Sequence, residues 1–333
     1  MKVLLYSEGK NLFSKSGVGR ALKHQMEALG KAGVNFTTDE KESFDIVHIN
    51  TIGTGAEKLI KKCRKTKTPV VYNTHTTYED FRDSFMLSNL AAPFIKRRIK
   101  KLYGSADYIV SPSSYTLGVI RGYGIDVEGE VISNGVSNKE FVKNEKYKEE
   151  FKKEYNINSP LVICVGLPFR RKGILDFCAI AEKMPEVQFI WFGANISSMV
   201  TADVRKKIKN PPVNVRFPGY VSNETILGAY SAADSFFFPT YEENEGIVIL
   251  EALSIKCPIV VRDIPVYKDW LQDGENCLKG KNNDEFIKKL EMFIKDKEYA
   301  EKITENGKKR AEERDLEIVG EKLKKVYENS VRS

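Results

Sequence analysis

The stretch "EENEGIVILE" (242–251) sets Glu242, Glu243, Glu245 and Glu251 into a chain whose formal net charge is +7. With a helix opening near Glu245 or Gly246, Glu251 falls in its second turn and Glu243 in the loop before it. The two are therefore not a pair on one helix face. The N–H groups of Gly246, Ile247 and Val248 have no intrahelical partner, point out of the helix start and suit a phosphate. Glu242 and Glu245 are expected to complement the helix dipole. Glu251, deep in an apolar run, needs a partner or a ligand to be buried there. No His is near, and a phosphate at Gly246 competes with a cation, so no metal site is expected.

Two further stretches carry ligand chemistry. In "GLPFRRKG" (166–173), Arg170, Arg171 and Lys172 stand between two glycines at a strand-to-helix turn. Cations oppose the helix dipole there, so a diphosphate is the natural ligand and a solvated loop the plain alternative. In "SKSGVGRA" (14–21), Gly17 and Gly19 let backbone approach an anion at a helix start. The third glycine of a dinucleotide fingerprint is missing, and a tight strand-to-helix turn accounts for the pair equally well.

Elements must hold these loops. Short apolar runs at 2–7, 45–50, 69–74, 108–113 and 130–135 read as strands, with a second series at 161–167, 187–193, 213–221, 235–241 and 258–264. Helix-length segments lie between, such as 173–184 and 223–233. Continuously apolar strands are expected where helices cover both sheet faces. Two series mean two doubly wound α/β domains, whose ligands sit beyond the strands' C-terminal ends; facing each other, they would make a deep cleft. The expected domains are 1–157 and 158–315, with a helix at about 316–333 returning to the first.

The bulk numbers agree with 333 residues in two domains. Five scattered Cys, none at metal-ligand spacing, read as reduced core thiols of a cytosolic protein. The run after Met1 is a first strand, too short for a signal peptide. No apolar stretch reaches membrane-spanning length, so any membrane is met from its surface.

Residues 1–155 hold 26 Lys and Arg against 19 Asp and Glu, and the remainder 27 against 27. The whole excess lies in the first half, as a domain facing a polyanion would have it. Within it, "SFMLSNLAAPFIKRRIKKLYG" (84–104) carries Leu87, Leu90, Phe94, Ile95, Ile99, Leu102 and Tyr103 at spacings of one to four, with Lys96, Arg97, Arg98, Lys100 and Lys101 among them. Pro93 starts or kinks the helix. The pattern suits a helix lying on an anionic membrane, the alternative being a surface helix packed on the core. At about 1 kcal/mol per cation, five contribute about 5 kcal/mol at most, so attachment would be reversible. No aromatic platform or known nucleic-acid fold is visible, and no nucleic-acid partner is expected.

Glu243 and Glu251 about Gly246, followed by "LEAL", resemble the family-4 retaining glycosyltransferases of the GT-B fold. The resemblance spans nearly the whole chain: "KSGVGRA", "VVYNTHTTYEDF", "VISNGV" and "FPGYVSNETILGAYSAADSFFFPT" match the family in order. It implies a UDP-sugar donor. Glu251 would bond the ribose, Glu243 the transferred sugar, and Gly246, Ile247 and Val248 the diphosphate. Arg171 and Lys172 would neutralise that diphosphate, Tyr220 would lie where the backbone meets the base, and Gly17 and Gly19 would lie near the phosphates. His75, ending its strand, would lie beside the sugar at the reacting centre. Two departures stand out: Leu167 replaces the Arg that usually follows Gly166, leaving Arg170 as a substitute, and Glu245 replaces an aromatic residue.

No Asp-x-Asp occurs, and the resemblance implies metal-independent transfer with retention, by front-face attack. Within the family, "VRFPGYV", "FFFPTYEENEGIVILEAL" and "VRDIPVYKDWL" look like bacterial synthases that add a hexose to monoglycosyl-diacylglycerol. The expectation is transfer of glucose or galactose to a membrane glycolipid on the inner face of the cell membrane. A soluble or cell-wall polysaccharide acceptor is the second reading. A nicotinamide dehydrogenase is the distant third, opposed by the missing glycine and by Asn50, rather than an acid, ending the second strand.

Overall fold

The computed structural model describes residues 1–8, 17–194 and 199–332; Ser14, Lys15 and Ser16 of the glycine loop lie outside them. The chain forms two compact units. The first holds Met1–Arg82, Asn89–Gly135 and the segment from Arg314; the second holds Asp83–Ser88 and Val136–Glu313.

In the first unit, β1 (Lys2–Tyr6), β2 (Asn35–Thr37), β3 (Ile46–Ile49), β4 (Val70–Asn73), β5 (Tyr108–Ser111) and β6 (Gly129–Val131) form one sheet in the order β2-β1-β3-β4-β5-β6. Every pairing is parallel. The period of two along a strand sorts the side chains. Leu4, Val47, Ile49, Val70 and Tyr72 enter one core with Ile99, Leu102 and Tyr103. Val3, Leu5, Ile46 and Val71 enter the other with Leu316, Val319 and Tyr327. The C-terminal helix Leu316–Arg332 thus completes the first unit, against the helix Gly17–Lys31. Gly320 lets them approach: a Cβ there would stand 2.1 Å from the Ala28 carbonyl oxygen.

In the second unit, β7 (Leu161–Val165), β8 (Gln188–Phe192), β9 (Val215–Gly219), β10 (Ser235–Phe238), β11 (Ile259–Arg262) and β12 (Leu278–Gly280) run in the order β12-β11-β10-β7-β8-β9, again all parallel. Phe177 packs edge-on against Phe189 and Trp191, ring centroids 5.3 and 5.2 Å away, under the helix Ile174–Lys183. The helix Glu145–Glu154, placed by the sequence in the N-terminal domain, packs instead on Asn223–Ala232 in this unit. Its one buried side chain, Phe151, lies stacked on Tyr155 and tilted against Phe192, which anchors it here.

The edge strands β2 and β12, three residues each, have no counterpart among the apolar runs. The five cysteines are buried and free. Among the described residues no helix is long and apolar enough to cross a membrane.

Candidate active site

Strand order reverses between β7 and β10 in the second unit. Loops leaving the C-terminal ends of such neighbours splay apart and open a crevice. The loop after β7 carries the short 3-10 turn Arg170–Lys172, and the loop after β10 carries Glu243. Backbone bonds tie them, Tyr241 N–H donating to the Arg171 carbonyl at 2.8 Å.

Arg171, Lys172 and Glu243 meet there. Lys172 Nζ pairs with Glu243 Oε1 and lies over the Phe238 ring, 5.3 Å from its centroid. Arg171 Nη1 is 3.7 Å from the same oxygen and donates to the Glu242 carbonyl at 2.7 Å, while its Nε donates to Ser84 Oγ at 2.9 Å. The Thr240 hydroxyl lies 3.0 Å from Glu243 Oε1. Arg171 and Glu243 are 8% and 7% exposed, a burial that a charge tolerates only when paired. Arg170 turns away instead, 3.3 Å from Asp203.

The helix opens one residue after the later of its two expected starts, at Ile247–Ser254, with Gly246 as its N-cap at φ +97° and no side chain capping the first turn. Only glycine adopts that left-handed backbone without strain. The turn keeps the N–H groups of Ile247 and Val248 at the helix start, beside the switch point. Glu251 is 1% exposed, with the Tyr230 hydroxyl 3.4 Å from its Oε2.

One placement revises the sequence reading and two add to it. Glu245, assigned to the helix dipole alone, is 3% exposed and so belongs to the buried side of the loop with Glu243. Tyr220 is 59% exposed at the end of β9. Tyr267, which no motif marked, buries its hydroxyl completely, 3.6 Å from where a Gly246 Cβ would stand. Its phenol is pushed well up, first by burial and then by Glu243 and Glu242. Acidic loop and strand-end positions announce themselves by residue type; a tyrosine inside "VRDIPVYKDWL" does not.

In the first unit, strand order reverses between β1 and β3. Gly17 opens its helix with nothing within 4 Å of an added Cβ, so the described packing does not require glycine there; Gly19 lies in the same first turn. Asn50 follows β3 and His75 follows β4. The His75 ring is buried and its Nε2 lies 3.1 Å from Asn50 Oδ1. Burial lowers its pKa from 6.5 to about 4, so the ring is neutral at pH 7.

The basic helix forms as Ser88–Tyr103 with Pro93 inside it, but its apolar residues divide. Ile99, Leu102 and Tyr103 face the core at 0–1% exposure, while Leu90 and Phe94 are 72% and 77% exposed. At 100° per residue, Arg97 and Lys101 share the outward stripe with Leu90 and Phe94. Not all five cations face out. Arg98 donates to the Ile52 and Gly53 carbonyls, and Lys96 lies over the Tyr123 and Tyr78 rings at 4.7 and 5.2 Å. Lys101 pairs with Glu57 at 2.7 Å.

Two six-stranded parallel sheets with helices between their strands define the GT-B class. Residues 146–310 match the family model "Glycosyl transferases group 1", and residues 37–140 match "Glycosyltransferase Family 4". The fold matches sucrose-phosphate synthase from Thermosynechococcus elongatus (TM-score 0.83, 17% identity, 99% of this chain and 98% of that one). It also matches Anabaena HepE solved in complex with UDP-glucose (TM-score 0.82, 14% identity, 99% and 100%).

The chain belongs to the family-4 glycosyltransferases. It is 44% identical over 337 residues, 100% of its own length and 99% of the relative's, to the processive diacylglycerol alpha-glucosyltransferase of Acholeplasma laidlawii. Over 127 residues, 37% of this chain and 34% of the relative, it is 38% identical to the alpha-galactosylglucosyldiacylglycerol synthase of Streptococcus pneumoniae. Membership removes the dehydrogenase reading.

Proposed function

We propose that this glycosyltransferase moves a hexose, glucose in the first instance, from a UDP-sugar to a diacylglycerol-based glycolipid at an anionic membrane surface, with retention. The observation that carries the donor half is the buried Arg171–Lys172–Glu243 cluster beside the Gly246 helix start. Sugar transfer builds negative charge on the departing diphosphate and positive charge on the sugar. Fixed cations and aligned N–H dipoles stabilise the first without reorganising. Arg171, Lys172 and the N–H groups of Ile247 and Val248 take that role here. Glu243, already held by Lys172, is assigned to the sugar, Glu251 to the ribose, Tyr220 to the base, Gly17 and Gly19 to the phosphate side, and His75 to the reacting sugar. No metal is given a part in the step.

Glucose as donor and a diacylglycerol-based acceptor follow the names of the whole-length relative and the pneumococcal one. The same likeness favours a lipid over a soluble or wall-polymer acceptor. The outward stripe Leu90, Phe94, Arg97 and Lys101, flanked by exposed Lys100, is the membrane-facing element. Lys96 and Arg98, turned to aromatic rings and carbonyls, support the helix instead.

The test is incubation with radiolabelled UDP-glucose or UDP-galactose and vesicles containing monoglucosyl-diacylglycerol, with the product's anomeric linkage read by NMR. An α-linked glucosyl lipid, lost in Glu251→Ala, is expected. Label transferred only to a soluble saccharide, or from neither donor, overturns the reading.

A further inference from the structure

The "DIVHIN" stretch around β3 plays no part in the donor chemistry, yet its His48 and Asn50 are fully buried. They belong to a continuous line of hydrogen bonds within the first unit. The Tyr327 hydroxyl lies 2.7 Å and Gln25 Nε2 2.8 Å from His48 Nδ1. Asn50 Nδ2 donates to Gln25 Oε1 at 3.0 Å, and His75 Nε2 lies 3.1 Å from Asn50 Oδ1. The line runs from the C-terminal helix through the Gly17–Lys31 helix and the end of β3 to the loop after β4.

The amides give each bond a direction. An amide nitrogen only donates, so His48 Nδ1 accepts from Gln25. Burial holds both rings neutral, with pKa values lowered to about 3 for His48 and about 4 for His75, and each therefore carries one proton. That of His48 is then on Nε2, which is buried with no hydrogen-bond partner among the described residues, and the Tyr327 hydroxyl donates to Nδ1 beside Gln25. Gln25 Oε1 takes Asn50 Nδ2, which turns Asn50 Oδ1 toward His75. An amide oxygen only accepts, so His75 carries its proton on Nε2. Turning one amide over alone would set donor against donor in a buried place, so the line holds as a unit, and only a turn of both amides together would make His75 Nε2 the acceptor instead.

We infer that the Gln25 and Asn50 amides, held in place beside His48 and the Tyr327 hydroxyl of the C-terminal helix, set the tautomer of His75, making Nδ1 the acceptor nitrogen of the ring. These four are positioning residues. That the ring then accepts a hydrogen bond from a sugar hydroxyl rests on the function proposed above; the tautomer does not.

The chain has three histidines, so full-length protein labelled with 15N-histidine gives three imidazole patterns in long-range 1H–15N spectra. His75 and His48 are expected as Nε2–H. His24, whose Nδ1 lies 2.8 Å from the Gly135 carbonyl oxygen, is expected as Nδ1–H and serves as the internal contrast. In Gln25→Met the fixed orientation of Asn50 is lost. A share of His75 should then appear as Nδ1–H, and kcat for hexose transfer should fall severalfold with the UDP-sugar KM unchanged. His75 found as Nδ1–H in the unaltered protein, or an unchanged His75 tautomer in folded Gln25→Met, overturns the inference. If Gln25→Met does not fold, the spectrum of the unaltered protein still decides. The expected tautomers without any transfer activity would sink the proposed function and leave the relay standing.

Discussion

Lys172 holds Glu243 in a site from which water is nearly excluded, so each charge depends on the other. Lys172→Met leaves the carboxylate with Arg171 alone. A loss of up to about 3 kcal/mol is expected by urea denaturation, because an uncompensated buried charge costs that much. UDP affinity should fall by tenfold or more in calorimetric titration, since the same ammonium is assigned to the diphosphate. Unchanged stability with unchanged UDP affinity would remove Lys172 from the site. Tyr267 behaves in the opposite sense. Among the described residues its buried hydroxyl has no hydrogen-bonding partner. Tyr267→Phe should therefore keep or raise stability, by about 1 kcal/mol. A clear loss in the same measurement would show that the hydroxyl is engaged. The acids and cations of this site were legible as residue types. Which of them share one oxygen was not, since that depends on two loops 70 residues apart in the chain.

At the scale of elements, two helices carry predictions. The C-terminal helix is held close by Gly320, and Gly320→Ala forces a Cβ to 2.1 Å from backbone oxygen. Backbone cannot yield as a side-chain tip does, so overpacking of about 1–3 kcal/mol is expected. Hydrogen exchange should show the loss first in residues 316–332 and 17–31; exchange rising equally throughout would argue against a local cause. The Ser88–Tyr103 helix makes a prediction of the other kind. Its outward charges, Arg97, Lys100 and Lys101, contribute about 3 kcal/mol at most near an anionic surface, less than the five cations of the sequence promised. The exposed Leu90 and Phe94 must supply the rest. Leu90→Ser with Phe94→Ser should therefore weaken sedimentation with anionic vesicles as much as Arg97→Gln with Lys101→Gln. Binding that both pairs leave intact would place the membrane face elsewhere. Spacing along the chain showed an amphipathic helix. It did not show that Ile95, Ile99, Leu102 and Tyr103 pack on the core while Leu90 and Phe94 face out, because the orientation of a helix is set by the sheet beneath it.

For the whole molecule, acid should act through the histidines. All three pKa values lie below the ordinary 6.5, with His24 and His75 at about 4 and His48 at about 3, each lowered mainly by burial. The unfolded chain takes up protons near pH 6.5 that the folded chain refuses. Stability is thus complete above that pH and is lost as pH falls toward 4, by up to about 1.4 kcal/mol per unit for each ring. Urea midpoints should hold from pH 7.5 to about 6.5 and fall from there to pH 5; a flat profile throughout would mean that the rings accept protons in place.

The sequence by itself determined two doubly wound parallel sheets, through two series of unbroken apolar strands separated by helix-length segments. It also marked the loops proposed to hold the donor, because a glycine turn, clustered cations and paired acids at strand ends are local in the chain. The tertiary structure alone decided where residues 136–157 pack, how deeply Glu245 lies, which cations of the basic helix face out, and that Tyr327 reaches a polar line ending at His75. Those outcomes depend on contacts between distant segments. A side chain's surroundings, unlike its period or its charge, are written by whatever the fold brings alongside it.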